Sequence, residues 1–106
     1  MSETMDAMPA VGPAMRRAAA VVARATRLRV ADVLAPSRWP ERRARRTAVY
    51  LAVTAGGVPG RQVARVAGLH HRQVQRALAQ IEDRRDDPAF DAFLSRLEGA
   101  YGANSI

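Results

Sequence analysis

The chain has 106 residues, a formal net charge of +7 and no cysteine. That length holds one small domain rather than two. The missing thiols exclude disulfides, cysteine-ligated zinc and thiol catalysis, and they fit a reducing cytosol. No apolar run approaches the roughly 18 residues that a membrane span needs, and an acidic N-terminus with no apolar core behind basic residues does not read as a secretory signal.

The charge is unevenly placed. Residues 16–76 hold fourteen arginines against Asp32 and Glu41 alone, a local charge of +12, whereas residues 77–106 hold three arginines against six acids. A one-sided basic field is the electrostatic footprint of a nucleic-acid binder. Every basic residue is arginine, which can fork onto a phosphate or a guanine edge.

In chain order, residues 1–12 lack periodicity and carry Pro9 and Gly12, so they read as a disordered tail, as do residues 103–106 at the other end. The folded domain is expected over residues 13–102. Pro13 suits a first helical turn, and Met15, Ala18, Ala19, Val22 and Thr26 form the buried stripe of a helix reaching about Leu28. A short apolar helix follows over residues 30–34, stopped by Pro36. Residues 37–46 read as a basic loop entering a longer helix, with Pro40 in its first turn and Trp39 packed in the core or, as the alternative, leaning on a sugar-phosphate edge. The stripe of that helix is Ala48, Leu51, Ala52 and Ala55 at helical spacing. Gly56 and Gly57 end it.

Pro59 starts the next helix, and residues 60–79 read as a helix-turn-helix. Ala64 is the small residue where two helices touch, and Gly68 supplies the positive φ of the turn. Val63, Ala67, Leu69, Val74 and Ala77 fill the buried side. The second helix runs from about His70 to Arg85, with Val74, Ala77, Leu78 and Ile81 inward. Asp87 caps a last helix that has Pro88 at its first position and Phe90, Phe93, Leu94, Leu97 and Tyr101 as its stripe. No segment alternates with a period of two, so the expected fold is an all-α bundle of about six helices.

The outer face of the second motif helix carries no acid. His70, His71, Arg72, Gln73 and Arg76 are the expected readers of the major groove. Arg38, Arg42, Arg43, Arg45, Arg46 and Arg61 are expected on the backbone or minor groove. His70 and His71 are adjacent and diverge by about 100° on a helix, so no metal site is expected. Arg84, Arg85, Asp86 and Asp87 read as a solvated turn with local pairs, and the outer face with Asp91 and Glu98 offers itself to a protein partner. No nucleophile and base pair up, and no cofactor is expected. A chain without lysine has no Walker lysine, so neither nucleotide binding nor ATPase activity is expected.

The stretches VADVLAPSR (30–38), RRARRTAVYLA (42–52) and VARVAGLHHRQVQRALAQIEDRRDDPAFD (63–91), in that order, resemble the C-terminal DNA-binding domain of the bacterial replication initiator DnaA. The resemblance covers residues 14–100, and its ending looks like stand-alone alphaproteobacterial versions, some similar to the DNA-binding half of gene-transfer-agent activators. It implies a minor-groove arginine before the long helix, for which Arg38 is the nearest match and Arg42 or Arg43 the alternatives. The family's G-R-D-H-T-T-V signature stands here as Gly68, Leu69, His70, His71, Arg72, Gln73, Val74. Glycine, one histidine and valine survive, which implies the same fold reading a different sequence.

Together these readings anticipate a sequence-specific double-stranded DNA-binding regulator of transcription, an activator in the cytoplasm on the nucleoid. The alternatives are a replication-control protein at or near the origin and a non-DNA adaptor to polymerase or the replication machinery. With no heptad stripe, one monomer per site is expected, helped by repeated sites, RNA polymerase or a DNA-bending protein.

Overall fold

A computed structural model describes residues 11–35 and 38–103. Six helices, and no strand, occupy these residues: α1 Val11–Thr26, α2 Val30–Leu34, α3 Trp39–Thr54, α4 Gly60–Ala67, α5 His71–Arg84 and α6 Pro88–Ala103. The all-α expectation of about six helices therefore stands. The tail expected over residues 1–12 lies mostly outside the described residues, but α1 already includes Val11 and Gly12. The stop expected at Pro36 lies outside them too. Ala103 ends α6, and residues 104–106 lie outside.

The molecule is organised around α3, which touches all five other helices and packs most extensively on α1. Only one stripe was expected to be buried on α3, but Ala44, Ala48, Val49, Tyr50, Leu51 and Ala52 are all inside. The reason is that neighbours cover α3 from several directions, so its buried surface is wider than the stripe of a helix lying on one core. The α1–α3 layer is built largely of small side chains. Ala18, Ala19, Ala48 and Ala52 are completely buried, with Met15, Val22 and Leu51 between them.

The punctuation between helices follows local chemistry. Gly57 and Gly68 both take positive φ, where a Cβ would be strained. At Gly68 the chain leaves α4 in the left-handed region, and the Leu69 N–H donates to the Ala64 carbonyl at 2.8 Å. Asp87 caps α6, its carboxylate accepting from the Ala89 N–H at 3.1 Å, and Pro88 costs nothing in a first turn whose N–H groups have no helical partner.

Four expectations are corrected. Trp39 is 55% exposed and outside the core. It is the first residue of α3, so it projects from the end of the helix rather than from its buried face. Pro40 stands in the first helical turn as expected, but the basic stretch 39–46 is helix throughout rather than a loop entering one, and the Glu41 carboxylate accepts from the Arg38 N–H at 3.3 Å. Ala55 is exposed because α3 has already ended at Thr54. Thr26 is exposed at the end of α1, its hydroxyl donating to the Val22 carbonyl at 2.7 Å.

Candidate nucleic-acid interface

Helix α3 carries arginine on the face it does not bury. Arg42, Arg45 and Arg46 sit at i, i+3 and i+4, the spacing that makes helix side chains neighbours, and Trp39 lies one turn before Arg42. Across from them stands α5. Between the two helices runs a cleft of about 340 Å³ lined by Trp39, Arg42, Arg45, Arg46, Gln73 and Arg76, with Val49, Leu69, Ala77 and Gln80 completing its wall.

Among the described residues, no acid lines this cleft. No ion pair joins Arg42, Arg45, Arg46 or Arg76 to an acid among the described residues, where the pairs are Arg29 with Asp32 and Arg85 with Asp91 and Glu98. Arg45 holds its proton less tightly than an ordinary arginine. Partial burial is the larger cause, and the positive charges of Arg42 and Arg46 add to it. A cluster that crowds like charges in this way is relieved by an anion.

The α4–α5 corner fixes the other wall. His70 precedes α5 and caps it: its Nδ1 accepts from the Arg72 N–H at 3.1 Å, while its own N–H donates to Gln73 Oε1 at 2.8 Å. These reciprocal bonds satisfy donors left over at a helix start. They also commit one atom each of two side chains expected to read bases, leaving His70 Nε2 and the Gln73 amide nitrogen free of the cap. His71 lies beside Gly60 at the start of α4. Arg72, Gln75 and Arg76 are exposed along α5. Val63, Ala64, Val74 and Ala77 are buried, and Ala67 and Leu69 pack half-buried against the core.

The residues expected to contact nucleic acid are therefore not all in one place. Arg42, Arg45, Arg46, Gln73 and Arg76 converge in the cleft. Arg43 lines an adjoining concavity with Thr26, Leu28, Pro40, Phe90 and Phe93, which shares Arg46 and Gln80 with the cleft. Arg38 is exposed at the start of α3, Arg61 on α4 and Arg72 on the first turn of α5, and none of the three lines the cleft. Trp39, expected first in the core and only second against a sugar-phosphate edge, stands on this surface. The signal was present, since 39, 42 and 46 form one helical row once the helix is known to begin at Trp39.

In the turn after α5, Arg84, Asp86 and Asp87 are exposed as expected, but Arg85 is half-buried and engaged. Arg85 donates from Nε to the Asp91 carboxylate and from Nη1 to Glu98 Oε2 and the Tyr50 hydroxyl, both at 3.0 Å; the Tyr50 hydroxyl donates to Glu82 Oε2 at 2.6 Å. Asp91 and Glu98, expected to face a partner, are thus engaged within the chain. These bonds raise the Arg85 pKa, with Glu98 the first cause and Asp91 the second. They tie α3, α5 and α6 together.

Among the described residues no group of three or more metal-ligating side chains comes together, and no helix is long and apolar enough to cross a membrane. Comparison with known protein families, curated proteins and solved structures returns no match to this chain.

Proposed function

We propose that this is a sequence-specific double-stranded DNA-binding protein that regulates transcription, with α4 and α5 serving as a helix-turn-helix of the kind the resemblance to the DnaA C-terminal domain implies. The observation that carries the reading is the convergence of Arg42, Arg45 and Arg46 with Arg76 of α5 in one cleft that no acid among the described residues lines. Phosphates are the anions that such a row of guanidinium groups fits. The exposed side chains of α5, chiefly Arg72, Gln75 and Arg76, then face base edges in the major groove. The α3 arginines hold the backbone beside it. The left-handed Gly68 and the His70 cap support the same reading, because they fix the angle at which α5 is presented.

The test is selection from a random duplex library followed by titration of the enriched duplex at several salt concentrations. One sequence should emerge, and log K should fall by roughly 0.9 per phosphate neutralised for each unit of log salt. No enriched sequence together with a flat salt response would exclude the reading. Occupancy mapped across the genome separates the regulatory role, with peaks at promoters, from a role at the replication origin.

A further inference from the structure

One side chain in the cleft has a chemistry that phosphate binding does not use. Trp39 is the single tryptophan of the chain, and more than half of it is exposed. Its cover is Arg46, whose guanidinium carbon stands 5.1 Å from the ring centroid. Since both residues are on α3, seven positions apart, this cation–π contact rests the ring along the arginine row and limits its freedom. Around it in the cleft are Arg42, Arg45, Gln73 and Arg76. An aromatic plane inside a cationic cleft is how proteins stack bases while arginines hold the adjoining backbone. In a fully paired duplex the faces of the bases are covered by their neighbours. Only an unpaired or unstacked step offers one.

We propose that Trp39 stacks on a base at an unpaired or unstacked step, and that this makes the chain prefer a duplex interrupted by such a step over a continuous one. The inference rests on the DNA-binding reading above. Arg42 and Arg45 neutralise phosphates beside the opened step, and the paired DNA around it supplies the groove for α5. The preferred ligand is therefore an interrupted duplex and not a plain single strand.

The experiment uses three DNAs of one sequence: the continuous duplex, the same duplex with a three-nucleotide mismatch bubble, and the single strand. Each is titrated into the full chain while the anisotropy of the labelled DNA and the emission of Trp39 are read. Having only one tryptophan makes that emission site-specific. The bubble duplex should bind about tenfold tighter than the continuous duplex and should quench Trp39, as a stacked base does. Trp39→Phe should keep most of the preference. Trp39→Ala should bring the ratio of the two affinities to about one, with an unchanged helical circular dichroism spectrum because the side chain is outside the core.

Equal affinity of the wild-type chain for both duplexes overturns the proposal. So does a preference that survives Trp39→Ala, an unquenched Trp39 in the saturated bubble complex, or tightest binding to the single strand. If none of the three DNAs binds in a salt-dependent way, the DNA-binding reading itself falls and this inference falls with it.

Discussion

Around the junction of α5 and α6 arginine is held on several sides, whereas along α3 it is left to face its own kind. Arg85 donates to Asp91, Glu98 and Tyr50, with Ser95 at 3.3 Å from Nη2, and its charge is stabilised. Arg45 has partial burial and two like charges beside it, and its charge is disfavoured. The side-chain chemistry is the same and the consequence is opposite. A partnered guanidinium joins elements of the fold. A half-buried, crowded one has its charged form disfavoured, and an anion beside it would offset that. The local charge asymmetry seen in the sequence is the origin of both, because the acids that satisfy Arg85 all come from residues 82–98.

The sharpest test of this contrast is Arg85→Ala. It leaves the Tyr50 hydroxyl and two carboxylates without their shared donor, and charged hydrogen bonds of this kind are worth about 1.5–3 kcal/mol. Urea unfolding should show a loss of about 2–3 kcal/mol, with the DNA affinity of the folded chain retained. A variant as stable as wild type would mean that Arg85 is no more structural than the α3 arginines.

Arg45→Ala should do the reverse. Affinity for the selected duplex should fall about tenfold, equivalent to about 1.4 kcal/mol, and the salt slope should drop by about 0.9. Unfolding stability should stay level or rise, since the variant relieves crowding. The comparison breaks if Arg45→Ala destabilises the fold as much as Arg85→Ala, or if it leaves the salt slope untouched.

The smallest expected effect is on pH dependence. The Tyr50 phenol titrates above its usual value of 10.0, chiefly because it is buried and then because it donates to Glu82, with Arg85 opposing. A folded-state pKa raised above the unfolded one gives stability that is fully present below pH 10 and is lost as pH rises through the folded value. Melting temperature should therefore decline above pH 10 more steeply in wild type than in Tyr50→Phe. Equal alkaline slopes would show that the phenol is not held as described.

What the sequence made legible was whatever depends on near neighbours. The apolar stripes of α1, α5 and α6, the turn at Gly68 and the Asp87 cap with Pro88 follow from spacing and local backbone chemistry, and all are found. The arginine face of α3 was visible as composition, but not as a face, because its geometry depends on the helix starting at Trp39. A tryptophan flanked by Arg38 and Pro40 gives no pattern by which to choose core or surface. The Arg85–Tyr50 contact spans 35 positions, and nothing in a single sequence pairs residues that far apart. The His70 cap was hidden for a different reason: Gln73 at the third helical position fits a capping box, but histidine is seldom the capping partner, and the same two residues also suit base reading.

The alanines of the α1–α3 layer turn the usual arithmetic of core damage around. Where a core is made of leucine and phenylalanine, truncation opens voids; here Ala18, Ala19, Ala48 and Ala52 have almost nothing to truncate and, fully buried, no solvent to grow into. Adding even one or two methylenes to a filled interior costs roughly 1–3 kcal/mol, and α3 also carries the arginine row. Enlarging an interior alanine would thus wedge α3 away from α1 and change its distance to α5. A site on the far side of the helix would register the insertion as a change in the width of the cleft, so that the least conspicuous residues of the chain act as the spacers that gauge it.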